Sequence, residues 1–174
     1  IATPITFKLG KKSTFLYSLF VIMALCITFY YVPTSGSTAY WTLLILQIAT
    51  GIFTGIISPL VWSMYADISD YAELKFKTAS TGLIFSSSSM AQKFGGAIGG
   101  SAVTAILAAV GYSTEAGAIQ TEYALTWVKA LMSFVPAGVA ALSLIFITIY
   151  PLTTKRMKEI QAGLEVRRAA PKAE

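Results

Sequence analysis

The chain has 174 residues, 55% of them hydrophobic and 12% charged, with a mean hydropathy of +0.68 and a formal net charge of +5. That balance belongs to integral membrane proteins and excludes an ordinary soluble domain, and the basic residues cluster beside apolar runs without any nucleic-acid motif. Histidine is absent and Cys26 is the sole cysteine, which excludes, within this chain, imidazole chemistry, zinc ligation by His, a thiolate metal site and an internal disulfide.

Residues 1–13 are polar, with Lys8, Lys11 and Lys12 and the breakers Pro4 and Gly10, and read as a loop on the cytoplasmic side. They do not resemble a cleavable signal, because the apolar run that follows is too long, and the opening Ile1 leads us to expect a cut in a longer chain. Residues 14–32 are uncharged and long enough to cross a bilayer, with Tyr30 and Tyr31 as interfacial anchors at the exit. After a short turn, residues 39–65 form a second predicted span. It opens on Tyr40 and Trp41, carries a small-residue face at Gly51 and Gly55, and contains Pro59, which removes a backbone donor and predicts a kink for packing or for gating.

Residues 66–79 hold Asp67, Asp70, Glu73, Lys75 and Lys77 and read as a mixed-charge loop. Asp67 and Asp70 would share a face only if the preceding helix continued another turn, and no further ligands converge on them at a metal-binding spacing. A third span is predicted over residues 80–111. Overlapping GxxxG registers, Gly95 with Gly99 and Gly96 with Gly100, expose backbone on adjacent faces. Residues 124–150 make a fourth span with Pro136 and Gly138, ended by Pro151. The tail, residues 152–174, contains Lys155, Arg156, Lys158, Arg167, Arg168 and Lys172. Its Met157, Ile160 and Leu164 recur at helical spacing, as in an amphipathic helix on a membrane surface, with a solvated tail as the alternative.

Lys93 is the one charge deep in a long apolar run. A lysine at mid-bilayer costs about 2.5–3.5 kcal/mol, so its side of the helix should face protein or a wet cavity. Ser86, Ser89, Met90, Gly96, Ala97 and Gly100 share that side and are small or polar. None of the spans contains an acidic residue, so a charged, buried Lys93 needs a partner from polypeptide outside this chain, or else it is neutral or bonds only to serines and carbonyls. For the chain alone, the polar side of the third helix is expected to be left uncovered. Nearly all Lys and Arg lie on one side of the predicted spans, which the positive-inside bias makes cytoplasmic, with both termini there.

The runs WSMYADISDYAELK (Trp62 to Lys75), TGLIFSSSSMAQKFGGAIGG (Thr81 to Gly100), Gly111–Tyr112, FVPAG and YPLTTKRMKEIQA (Tyr150 to Ala162) resemble the glycoside-pentoside-hexuronide:cation symporters. These are the melibiose-permease-like branch of the major facilitator superfamily. TPITFKLGKK (Thr3 to Lys12) is similar to the basic loop before that fold's ninth helix. The resemblance covers essentially the whole chain. It implies an all-α membrane protein whose four transmembrane helices are helices nine to twelve of twelve.

It further implies that Lys93 is the eleventh-helix lysine between sugar and cation sites, that Ser88, Ser89 and Gln92 line the sugar cavity, and that Asp67, Asp70, Tyr71 and Glu73 form a cytoplasmic gating loop. Departures occur at Ala79, where members often carry arginine, at Thr81, where some carry glutamate, and at Ser58, where the melibiose branch has a sugar-stacking tryptophan. Trp62, one turn later, could supply the aromatic face instead, or serve only packing, and Lys75 and Lys77 could replace the lost arginine.

The expectation is therefore the C-terminal part of a secondary transporter in a bacterial-type inner membrane, not an enzyme. It would carry a sugar or glycoside with a coupling cation (H+, Na+ or Li+), have no other cofactor, and work with an N-terminal half not contained in this chain. The alternative is a self-contained four-helix membrane protein, either an oligomeric exporter or a scaffold, joined through its glycine faces.

Overall fold

The computed structural model describes residues 6, 9–33, 36–78, 80–115 and 117–169. Ile1, Pro4, Lys8, Ala79 and Lys172, all singled out above, lie outside the described residues. The main helices are α1 (Lys11–Tyr31), α2 (Ser37–Phe76), α3 (Thr81–Ala109), α4 (Glu122–Ile149) and α5 (Thr154–Ala169).

Local chemistry sets their ends. Pro33 forces the preceding residue out of the helical region, and Val32 accordingly ends α1 in an extended conformation. Thr121 caps α4 by accepting a hydrogen bond from the Ala124 amide, with Glu122 in the first turn to favour the positive helix end. The other end of α4 stops at Tyr150, the residue before Pro151.

α1 packs chiefly on α4 and secondarily on α2. The buried positions of α1 and α4 include Thr14, Ser18, Ala124, Ser133, Ala137 and Ala140, small side chains that let two backbones approach without a bulky core. Lysines pin both ends of this pair. Lys12 Nζ donates to the carbonyls of Thr148 at 2.8 Å and Tyr150 at 2.7 Å, satisfying the last turn of α4, and Lys129 Nζ reaches the Val32 carbonyl at 3.4 Å past the end of α1.

Three helices, α1, α2 and α4, are long and apolar enough to cross a membrane. α3 has 29 residues and ample length, yet it is not among them, because its serine run, Gln92, Lys93 and glycines dilute the hydrophobic residues.

Two expectations are corrected. Of the segment 66–79, residues 66–76 are not a loop: α2 runs unbroken through Pro59 to Phe76, and Lys77, in the left-handed region at φ 58°, ends it while its amide bonds the Glu73 carbonyl. The segment ADISDYAELK contains neither Gly nor Pro, and nothing in it opposes a helix already nucleated upstream. The described part of the tail, α5, is likewise neither solvated along its apolar stripe nor laid apolar-side-down on a bilayer. Met157, Ile160 and Leu164 of α5, with Leu152, pack against Ile68, Tyr71, Leu74 and Tyr150, and Leu164 is only 2% exposed.

Candidate functional site

α3 carries Ser88, Ser89, Gln92 and Lys93, four of the five residues expected to meet sugar or cation. It has no buried residue, and every side chain from Met90 to Ala102 is exposed. Its neighbours are α2 and α4, both touched sparingly, and it is half-buried only near its ends, at Ile84, Phe85, Ser88 and Ser89 and again at Val103, Ile106 and Leu107. A Cβ built on Gly95, Gly96, Gly99 or Gly100 would meet nothing within 4 Å, and the same holds for Gly51 and Gly55 on α2. The small-residue faces are present and unoccupied among the described residues.

Lys93 stands in the middle of this bare stretch, with no hydrogen bond or ion pair among the described residues. Ser88 Oγ turns back to the Ile84 carbonyl at 2.7 Å, an i−4 bond that satisfies the hydroxyl while leaving it able to accept. Gln92 is exposed and Ser89 half-buried. Helical geometry places Phe85, Ser89, Gln92 and Gly96 on one side, with Lys93 at its flank.

At the start of α3 the chain is tied to α2. Ser69 Oγ and Thr81 Oγ1 lie 2.6 Å apart, and Trp62 stacks on Phe85 with ring centroids 6.0 Å apart and planes 18° from parallel. Trp62 remains 42% exposed. It is thus beside the first polar turn of α3, and Lys93 lies a further four to five residues, about 6–8 Å of helical rise, beyond Ser88 and Ser89. The structure brings Trp62 to the level of Ser88 and Ser89 and does not bring it to Lys93.

Of the four residues expected to gate, all on the last turns of α2, Asp67 has one partner and Tyr71 and Glu73 share another. Asp67 is 6% exposed, and both of its oxygens accept from Lys11 Nζ, at 2.7 and 2.8 Å. Its partner is therefore Lys11 on the first turn of α1, and not the Lys75 or Lys77 that the sequence offers. Lys75 lies over the rings of Tyr71 and Phe76 instead, 5.5 and 5.3 Å from their centroids. Tyr71 and Glu73 serve α5: Tyr71 packs in its apolar cluster, and Glu73 accepts from Arg168 at 2.8 Å while its carbonyl accepts from Arg167, also at 2.8 Å. That contact raises the pKa of the Arg168 guanidinium. Asp70 is half-buried.

The Lys11–Asp67 pair walls a cleft of about 550 Å³ between the starts of α1 and α5 and the side of α2, bordered also by Pro59, Leu60, Met157 and Lys158. Tyr150 closes the same end of the bundle. Burial, and then the Asp67 charge, raise its phenol's pKa.

Sequence reading missed Lys11 and Phe85. Lys11 was counted only toward orientation, although a lysine on a first turn next to an apolar helix can reach a neighbour's carboxylate. Phe85 sits four residues before Ser89, a spacing that already placed it beneath the polar side.

These features define a helical membrane protein with one self-contained helix pair and one polar, lysine-bearing helix left open. The family model for MFS/sugar transport proteins matches residues 1–154, and the chain belongs to that family. The chain is 30% identical over 164 residues to a glucuronide carrier protein homolog of Escherichia coli (strain K12), covering 92% of this chain and 34% of that protein. It is 32% identical over 167 residues to an isoprimeverose transporter of Lactiplantibacillus pentosus, again 92% and 34%, and 27% identical to an inner membrane symporter of Escherichia coli (strain K12), 94% and 35%. The chain thus spans about a third of the length of these curated relatives. No solved structure matches it.

Proposed function

We propose that this chain is the C-terminal part of a secondary active transporter that moves a sugar or glycoside together with a cation by alternating access. The observation that carries this reading is the bare α3: a helix in a sugar-transport family whose middle third is polar, glycine-rich, lysine-bearing and without a neighbour among the described residues. Such a surface is costly against lipid and makes sense facing another six-helix half across a wet cavity. On this reading α3 crosses the bilayer as the eleventh helix, with α1, α2 and α4 as the ninth, tenth and twelfth. The lysine-rich end that includes Lys11 and α5 then faces the cytoplasm of an inner membrane.

Lys93 would link sugar and cation: a bound H+, Na+ or Li+ screens acidic groups of the N-terminal half, changes the pairing of the amine and so the affinity for sugar. Ser88, Ser89 and Gln92 would bond the sugar hydroxyls. Asp67 with Lys11 would close the cytoplasmic side, joining α1 and α2 while the cavity is open outward. The relatives' names make glucuronides and isoprimeverose the first sugars to try. In the complete transporter, Lys93→Ala or Lys93→Val should abolish accumulation against a gradient while leaving the protein inserted. Accumulation at the wild-type level in either variant would refute the coupling role.

A further inference from the structure

Three aromatic rings join α2 to α3 at the foot of the open face. Besides the Trp62–Phe85 stack, Tyr65 meets both rings nearly edge-on, 5.8 Å from Trp62 and 6.3 Å from Phe85. Offset stacks and edge contacts at such distances are the favourable arrangements of aromatic pairs. With Ser69 opposite Thr81 and Tyr65 opposite Phe85, the same antiparallel register carried along both helices brings Ser58 level with Gln92.

Past the rings the helices separate. The glycines on both, Gly55 and Gly51 on α2 and Gly95 and Gly96 on α3, have open space around them. The aromatic cluster is therefore the closed end of a wedge between α2 and α3, and Ser88 and Ser89, three and four residues beyond Phe85, are the first polar side chains on that side of α3 above it.

A pyranose has one apolar face of C–H groups, and an indole held still is a better partner for it than one that must be ordered on binding. Phe85 lies nearly parallel to Trp62 and Tyr65 stands nearly perpendicular to both, yet Trp62 keeps 42% of its surface exposed. We propose that Phe85 is a positioning residue for the sugar: it holds Trp62 as a fixed apolar platform at the closed end of the α2–α3 wedge, and so sets affinity for a pyranose lying against it. The inference rests on the sugar-transport reading above and adds to it a residue and a substrate face.

The test uses the complete transporter, with uptake of p-nitrophenyl β-D-glucuronide and of isoprimeverose as readouts. Phe85→Leu, which keeps an apolar side chain but no ring, should raise KM about 3- to 10-fold with the maximal rate within twofold, since an aromatic contact contributes about that much to an equilibrium constant. Phe85→Tyr should restore KM to within twofold of wild type. Trp62→Leu should raise KM as well, and the double variant Trp62→Leu/Phe85→Leu should be no worse than Trp62→Leu alone, because without the indole there is nothing to position.

An unchanged KM in Phe85→Leu, a fall in maximal rate alone, or additive effects in the double variant would each overturn the proposal. So would failure of Phe85→Leu to insert together with a Phe85→Tyr that inserts but does not recover KM. Lys93→Ala in parallel separates the two readings: if it abolishes accumulation while Phe85→Leu leaves KM alone, only the platform is lost. If the wild type takes up neither sugar, the reading beneath falls and the platform with it.

Discussion

Asp67 shows how one substitution separates burial from pairing. Its carboxylate is almost fully buried while the Lys11 side chain stays 38% exposed, so the pair lies between two regimes. Exposed pairs contribute about 0–1 kcal/mol, and breaking a fully buried pair costs about 3–5. Removing the amine alone, as in Lys11→Met, leaves a buried charge without a partner and should cost about 1–2 kcal/mol once solvent screening of the exposed lysine is allowed for. Lys11→Met/Asp67→Leu should be more stable than Lys11→Met, since it removes the stranded charge. Thermal unfolding in detergent gives the order of the two, and the reverse order would show that Asp67 has another cation. Gly10, next to this pair, has φ 81° and ψ 155°, a region essentially reserved for glycine, and a Cβ there would lie 2.5 Å from Thr154 Oγ1. Gly10→Ala should therefore cost about 1–3 kcal/mol, and Thr154→Ala in the same chain should recover only the part due to the clash. A full recovery would mean that the backbone is unstrained.

The helices themselves divide into what sequence can and cannot announce. The apolar runs of α1 and α4 and the break between them are read directly from hydropathy, Pro33 and Pro151, because length and breakers are local properties. The last three turns of α2 were hidden by their charges: Asp67, Asp70, Glu73 and Lys75 look like a loop in a membrane chain, though Met64, Ile68, Tyr71 and Leu74 repeat at helical spacing through them. The stripe on α5 was equally visible, but a stripe does not name its partner, and the partner surface exists only because α2 continues. For α5 the apolar contact should outweigh the charged one. Leu164→Asp should release the helix, seen as rapid amide exchange and proteolysis at residues 154–169, because it puts a carboxylate among Ile68, Tyr71 and Leu74. Arg168→Ala removes a pair whose arginine is 61% exposed and should leave α5 docked. Release by Arg168→Ala alone would reverse that ranking.

Across the chain as a whole, packing is unequal in a way that bears on how it works. α1 and α4 bury small residues against one another and are tied at both ends by lysines, while α2 leans on α1 and is clasped by α5. α3 has only its two ends in contact, so the free energy of holding it comes from the aromatic cluster, the Ser69–Thr81 bond and a few apolar residues near Ile106. Local opening follows local contact density, and α3 should be the least protected helix when the chain is prepared alone. Hydrogen exchange in detergent should show residues 90–102 exchanging ahead of α1 and α4. If the proposed function holds, co-expression with the N-terminal half of the transporter as a separate polypeptide should slow that segment selectively and restore sugar uptake. If residues 90–102 are as protected as α4 in the isolated chain, α3 is covered by a second copy through its glycine faces. The chain would then be an oligomer in its own right, and the polar helix would no longer call for another half.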